Sequence, residues 1–224
     1  MLLVGCSDDD PPITIPEGRI SSPDELMVAF VSALEARDIE ALASLFDHDT
    51  KKFTFKFRDE DVVELSLPTE YLNQGEMIQV WRNVFSGREI LNNDGGTAPG
   101  VAGLEVNRFQ RTTEWCGPEC DTDSWGAVAY NLQRVNFRVE FTITSADGHA
   151  PLYIDGNLEV WVRPPCGEAT SGEACQGYTL YRIEDGSWEY EKEGLVTFGK
   201  FINQYFTGEP RAASISGAFS PGAR

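Results

Sequence analysis

The chain has 224 residues, of which 41% are hydrophobic and 11% aromatic, and a formal net charge of −18 from 36 acidic and 18 basic residues. The apolar fraction suffices for a buried core, which excludes a chain that is disordered throughout. A surface this negative repels phosphate groups, so nucleic acid and anionic lipid headgroups are disfavoured as partners.

The first residues are the candidate for a targeting signal. Leu3-Val4-Gly5-Cys6 resembles the lipobox of bacterial lipoproteins, in which a cysteine that follows a small residue becomes lipidated. Almost nothing of the usual basic and apolar signal regions precedes it. Residues 7–20 are polar and proline-rich, as a flexible tether should be. We expect residues 1–6 to be the remnant of a signal and Cys6 to anchor the protein in a membrane of the bacterial cell envelope, on its periplasmic or extracellular side. A chance match ahead of a free cysteine is the alternative.

Four cysteines remain once Cys6 is set aside: Cys116, Cys120, Cys166 and Cys175. An even remainder is typical of an exported protein with two disulfides, for which three connectivities are open. We favour Cys116–Cys120 and Cys166–Cys175, because each pair brackets a short segment that contains glycine. The rival is a four-cysteine zinc site, which the wider spacing of the second pair disfavours. No metal is therefore expected.

Two helices are predicted first. Ser22 suits an N-cap, Pro23 the first helical position, and Glu25 a capping box. Apolar residues follow at helical spacing to about Arg37, namely Leu26, Phe30, Val31 and Leu34. Asp38 resembles a second N-cap, which predicts a short second helix that ends near Phe46.

The next segment combines a predicted hairpin with a third helix. Residues 52–67 alternate between apolar and polar residues on both sides of a polar run at 58–61, which predicts two strands joined by a turn. Asn73 and Glu76 then resemble an N-cap pair. An apolar stripe that includes Trp81 predicts a helix that ends near Ser86-Gly87.

The second half of the chain is predicted to be strand-rich. Residues 92–103 resemble a loop, and alternation predicts strands at about 104–113, 135–144, 152–163 and 177–184. Asp185-Gly186 is predicted to be a hairpin turn into a strand at 187–193. A short amphipathic segment at 198–206 precedes residues 208–224, which are expected to be disordered.

This order of elements predicts one α+β domain over residues 21–207, with the helices packed on one face of a curved antiparallel sheet. The run from Pro23 to Asp47, PDELMVAFVSALEARDIEALASLFD, resembles the NTF2-like (SnoaL-like) superfamily. The resemblance extends over about residues 22–193 and is sharpest in the first two helices. It implies a cone in which about three N-terminal helices cover a strongly bent antiparallel sheet of four to six strands, with a pocket at the open end.

Enzymes of that superfamily, such as isomerases and dehydratases, place Asp, His or Tyr inside the cone as general acids and bases. None of their motifs is matched residue by residue here, so no catalytic residue is assigned. His48 and His149 lie in predicted loops, where a surface position is expected. The sequence contains no phosphate-binding glycine loop and no hydrolase or metalloprotease motif, so no cofactor is expected.

A candidate pocket follows from strand alternation and from the third helix. Trp81 is the tryptophan that we place in the pocket wall. The polar candidates on the strands are Tyr130, Arg138, Glu140, Tyr153 and Asp155. A register slip of one residue reverses every such assignment. In the alternative, these polar residues face solvent and Phe137, Val139 and Phe141 fill the cone.

Two functions follow from these features. The first is a non-catalytic, lipid-anchored domain that binds a small molecule or another envelope protein. The second is an isomerase or dehydratase that uses a buried carboxylate or histidine. An outer sheet face that forms a homodimer is a third use of the same fold. An open polar pocket with Asp or His beside Tyr favours the enzyme, and a cone filled by Phe and Trp argues against it.

Overall fold

A computed structural model describes residues 20–47, 53–67, 69–92, 95–120, 131–165, 177–188 and 194–207. The helices of these ranges, in chain order, are α1 Pro23–Ala36, α2 Ile39–Ser44, α3 Asp59–Glu64, α4 Gln74–Phe85 and α5 Phe198–Gln204. No helix of the described ranges is both long enough and apolar enough to span a membrane.

Eight strands are described, and six of them form one sheet. Their bounds are β1 Thr54–Lys56, β2 Tyr71–Asn73, β3 Ile90–Leu91, β4 Thr97–Ala98, β5 Val101–Arg111, β6 Gln133–Ser145, β7 Leu152–Arg163 and β8 Thr179–Ser187. The main sheet has the order β2-β1-β8-β7-β6-β5, and β3 pairs separately with β4. β1 runs parallel to β8, so the sheet is mixed, whereas the sequence predicted an antiparallel one. The predicted α+β architecture with four to six strands is confirmed.

The sheet bends at bulges and at one glycine. Register shifts interrupt the β5–β6 ladder twice and the β7–β8 ladder once, and such bulges increase the local twist and bend of a strand. Gly156 of β7 has φ 149, and a Cβ there would lie 2.3 Å from Cα of Ser187 on β8. Only glycine permits this close approach of the two strands.

The predicted starts of the helices are confirmed. The Ser22 side chain accepts a hydrogen bond from the amide of Glu25, and Arg37 ends α1 in the left-handed conformation. Asn73 and Glu76 form a complete capping box at the start of α4. Each cap satisfies amides that have no partner within the helix.

The predicted hairpin at 52–67 is wrong in its second half. β1 is present, but residues 59–64 form helix α3 instead of a turn and a strand. The three acidic residues in the first turn of α3, Asp59, Glu60 and Asp61, suit the positive end of a helix dipole. Val63, predicted among the apolar positions of the second strand, is 79% exposed, and Asp61, predicted to lie in the turn, is buried. β1 pairs instead with β2 and β8.

The predicted turn at Asp185-Gly186 is also wrong, because both residues lie within β8. Ladder pairing with β7 continues through Gly186 to Ser187. The Asp185 carboxylate is used inside the domain, where it accepts hydrogen bonds from Ser187 and Gly199. These interactions replace the local turn that the dipeptide favours.

The core lies between the helices and the inner face of the sheet. Alternate residues of β6 are buried there, and the inward residues are Val135, Phe137, Val139, Phe141 and Ile143. The sheet therefore adopts the alternative in which Phe137, Val139 and Phe141 fill the interior and the polar residues of the strands face outward.

Several predictions lie outside the described residues. These concern Cys6, the tether at 7–19, His48, Tyr130, Cys166, Cys175, the strand at 189–193 and the tail at 208–224, together with the side chain of Cys120. The lipid anchor and the cysteine pairing stay predictions.

Candidate functional site

The interior of the domain is filled by helix α5. Phe198 stacks on Phe141 with ring centroids 5.7 Å apart and lies edge-on to Phe55 at 5.6 Å. Trp81 is fully buried, and its ring centroid lies 6.2 Å from that of Phe198 and 6.4 Å from that of Phe201. These aromatic rings come from α4, α5 and two strands, and all of them belong to the buried core.

The predicted pocket set is divided between this core and the outer face of the sheet. Trp81 belongs to the core and packs against α5. Arg138, Glu140 and Asp155 occupy outward positions of β6 and β7. Tyr153 also lies at an outward position, and its backbone bonds to residues of the 194–196 segment. Among the residues that the structure describes, Trp81 and the polar candidates Arg138, Glu140, Tyr153 and Asp155 lie on different faces of the sheet.

The outward side chains pair with one another across the strands. Arg138 forms an ion pair with Asp155, with 2.5 Å between the guanidinium nitrogen and Oδ1. The same guanidinium lies 3.9 Å from the ring centroid of Trp188. Glu140 pairs with Arg108 at 2.8 Å. Cross-strand pairs of this kind stabilise a sheet surface, so these residues have a structural explanation without a ligand.

A cavity of about 280 Å³ lies at one end of the sheet, and we call it the end pocket. Its walls come from the β3–β4 pair, the start of β5, the end of β6, the start of β7 and the end of α5. The apolar wall residues are Ala98, Pro99, Val101, Ile143, Ala150 and Leu152. A concave, mostly apolar space with few polar groups is the usual form of a small-molecule site.

Ser145, at the end of β6, and His149, in the segment between β6 and β7, line the end pocket, and Asp147 contacts both of them. The Asp147 carboxylate accepts a hydrogen bond from the Ser145 hydroxyl and lies 3.2 Å from His149 Nε2. The Ser145 hydrogen bond, with smaller contributions from the His149 amide and charge, lowers the pKa of Asp147. Asp147 is therefore an ionised acceptor at neutral pH.

Tyr205 forms part of the pocket wall at the end of α5. Its hydroxyl donates to the carbonyl oxygen of Pro99 at 2.7 Å. Burial of the ring, and to a smaller extent the Asp147 carboxylate, raises the pKa of Tyr205 to about 12. The phenol thus stays protonated and acts as a fixed donor to the backbone.

Two features of the end pocket bear on proton transfer. His149 is 74% exposed by side chain, so it lies at the solvent edge instead of inside the cavity. The one hydroxyl donor of Tyr205 is already used by Pro99. A general base must reach the proton that it abstracts, and desolvation usually tunes its pKa.

The end pocket was missed in the sequence analysis, although His149 was correctly expected in a surface loop. Its residues lie between Asn92 and Tyr205, a separation that only the folded sheet closes. The sequence signal was the spacing of Ser145, Asp147 and His149, in which alternate polar residues follow the end of a long apolar strand.

No protein family and no curated protein matches the chain. Solved structures with a similar architecture include a putative scytalone dehydratase from Novosphingobium aromaticivorans, 10% identical over 79% of this chain and 90% of that one, TM-score 0.45. An NTF2-like superfamily protein from Salmonella enterica is 10% identical over 76% and 89%, TM-score 0.42. A putative calcium/calmodulin-dependent protein kinase type II association domain from Thiobacillus denitrificans is 17% identical over 75% and 96%, TM-score 0.40. Similarities at this level carry over no activity, substrate or partner.

Proposed function

We propose that the protein is a non-catalytic binding domain with an NTF2-like architecture, anchored in the bacterial cell envelope through lipidated Cys6. Its ligand is a small, mostly apolar molecule that occupies the end pocket. The observation that carries the proposal is that α5 fills the interior, while an apolar cavity of about 280 Å³ stays accessible at the end of the sheet.

A neutral fluorescent probe, N-phenyl-1-naphthylamine, tests the binding site. Ala150 is exposed and lines the end pocket, so Ala150→Trp should obstruct the cavity and weaken binding of the probe by at least about tenfold, which corresponds to about 1.4 kcal/mol. Ala102→Trp adds the same indole at an exposed position of β5 and should leave the affinity unchanged. Equal affinities for both variants would contradict the proposed site.

The runner-up is an enzyme of the isomerase or dehydratase type, and one observation favours it. Asp147, His149 and Ser145 form a hydrogen-bonded cluster at the pocket rim, and a carboxylate that orients a histidine is a common arrangement for a general base. Under this alternative, proton exchange at the carbon next to the carbonyl of a small cyclic ketone depends on the protein, and His149→Gln abolishes it. Under the binding proposal, the protein leaves that exchange at the rate of buffer alone.

Mass spectrometry of the protein from its bacterial host tests the anchor and the cysteines together. The proposal expects an acylated Cys6 as the N-terminal residue, and disulfides that join Cys116 to Cys120 and Cys166 to Cys175. An unmodified N-terminus with free thiols would contradict both.

We propose the outer sheet face as the surface of a homodimer, the alternative partner being another envelope protein. The face carries basic residues among its acidic ones, such as Lys56 beside Glu184 and Arg134 beside Glu159. Two copies of a chain with net charge −18 repel least where such pairs balance the charge. Trp188, 42% exposed, lies on this face beside Arg138. Trp188→Glu should shift a dimer to monomer in analytical ultracentrifugation.

A further inference from the structure

We propose that Asp61 and Asp185 form a proton-dependent latch that holds helix α5 inside the domain. The latch and the end pocket stand on different observations, although both involve α5. The latch lies at the start of α5, whereas the end pocket lies against its last residues.

Asp185 satisfies the first amides of α5 from β8. Its Oδ2 accepts a hydrogen bond from the Gly199 amide at 2.6 Å. Its Oδ1 accepts from the amide of Ser187 at 2.8 Å and from the hydroxyl of Ser187 at 2.6 Å. The Ser187 hydroxyl oxygen in turn accepts from the Phe198 amide at 2.8 Å. Two amides of α5 thus depend on β8 for their acceptors.

Asp61 reaches the same point from α3. Its Oδ2 accepts from the hydroxyl of Thr197 at 2.6 Å, and Thr197 caps α5 by accepting from the Lys200 amide at 3.0 Å. A Cβ placed on Gly199 would lie 2.8 Å from Oδ2 of Asp61 and 3.0 Å from Oδ2 of Asp185. Two buried carboxyl groups from separate elements therefore converge on the first turn of α5.

Two buried carboxylates so close together make the charge on the cluster sensitive to pH. Burial, opposed by the hydrogen bonds and reinforced by the Asp61 charge, raises the pKa of Asp185 above its ordinary value of 3.8. Asp185 therefore binds a proton more tightly when α5 is docked than when α5 is released. Docking is strongest below pH 3.8, and it weakens as the pH rises through the raised pKa of Asp185.

The other charged groups around the latch are paired at its margin. Lys200 of α5 pairs with Glu64 of α3 at 2.8 Å, and Arg58 pairs with Glu60 at 3.5 Å. On β8 and β1, Glu184 pairs with Lys56 at 3.8 Å. A surface groove of about 360 Å³ runs between these groups, and it is lined by Lys56, Arg58, Asp59, Glu60, Glu184, Asp185 and Ser187. The groove gives solvent protons a route to Asp185.

Release of α5 would uncover the apolar surface of the interior. Phe55, Trp81 and Phe141 would lose their contacts with Phe198. The latch thus links proton concentration to the exposure of this apolar surface.

Hydrogen exchange measured on the full chain between pH 4 and pH 8 tests the latch. After correction for the intrinsic exchange rate, the protection factors of the α5 amides should fall by up to about tenfold for each pH unit between pH 3.8 and the raised pKa of Asp185, the limit for one linked proton, and should level off above that pKa. The β6 amides are the internal control and should keep constant protection. If α5 protection is independent of pH, or follows that of β6 at every pH, the proposal is overturned without any variant.

Asp61→Asn and Glu64→Gln sharpen the test. Asp61→Asn removes the negative charge that opposes ionisation of Asp185 while it keeps an acceptor oxygen for Thr197, so the pKa of Asp185 should fall and the loss of protection should move to lower pH or flatten. Glu64→Gln removes an acidic group from the same helix, and also from contact with α5, but at an exposed position, so the pH profile should not move. A shift with Glu64→Gln equal to that with Asp61→Asn would overturn the latch in favour of a general charge effect.

Discussion

The inner and outer faces of the same three strands have opposite chemistry. Inward positions of β6, β7 and β8 hold residues such as Phe141, Leu158 and Ile183, which pack under the helices. Outward positions of those strands hold Arg138 and Asp155, which pair across the sheet. The inner face is closed by α5, and the outer face is a network of ion pairs. The apolar inner face therefore contributes most of the free energy of folding, whereas the partly exposed ion pairs of the outer face contribute little to stability.

The largest effect is expected from Phe198→Ala, which removes the ring at the centre of the interior. Phe198 contacts Phe55, Trp81 and Phe141, so its loss should reduce the free energy of unfolding by about 3–5 kcal/mol. Urea unfolding at constant pH measures the change. Tyr71→Ala, at an exposed aromatic, should cost far less. Equal losses would mean that Phe198 does not fill the interior.

Ser187→Ala tests the polar part of that interior. The Ser187 hydroxyl donates to Asp185 and accepts from the Phe198 amide, so its removal leaves two buried groups without this partner. The expected cost is about 1–3 kcal/mol of unfolding free energy. Ser86 makes two comparable hydrogen bonds at an exposed site, and Ser86→Ala should cost less. The prediction fails if Ser86→Ala is the more damaging substitution.

Glu140→Gln probes the outer face. It breaks the 2.8 Å ion pair with Arg108 and the 3.8 Å contact with Arg138, in a partly exposed setting where such pairs contribute at most about 1 kcal/mol. The difference from wild type should shrink as salt rises from about 0.1 M to 1 M, because the screening length falls. A loss of unfolding free energy that is larger than that of Ser187→Ala and unchanged by salt would contradict the small contribution of this face to stability.

The smallest effect is expected at Val63, which is 79% exposed on α3. Val63→Ser removes little buried apolar area, so the free energy of unfolding should change by less than about 0.5 kcal/mol. Thermal unfolding of the variant beside wild type is the measurement. A loss comparable to that of Phe198→Ala would support the hairpin that the sequence predicted, in which Val63 points into the core.

Local signals in the sequence were sufficient for the long elements. The Ser22 cap, the Asn73 capping box and the alternation from Val135 to Ile143 each act over a few residues, and all three are confirmed. The hairpin and the Asp185-Gly186 turn were wrong because distant residues decide both. Asp61 accepts a hydrogen bond from Thr197 and Asp185 accepts one from Gly199. Each of these partners is more than ten residues away along the chain.

The candidate site was less predictable than the fold. Periodicity separated two faces of the strands, and the sequence left open whether Arg138, Glu140 and Asp155 line a pocket or face solvent. They lie on the outer face. The filling of the interior depends on α5, a short segment whose role no local pattern reveals. The end pocket requires the whole sheet before its walls meet.

Methyl NMR with N-phenyl-1-naphthylamine tests most directly whether the ligand site is the end pocket beside a filled interior. Addition of the probe should shift the methyl signals of Ile143, Leu152 and Val101, which line the end pocket. The methyl signals of Val139 and Leu158, both fully buried on the inner face, should not move. Shifts at Val139 and Leu158 without shifts at Ile143 and Leu152 would place the probe in the interior and contradict the account.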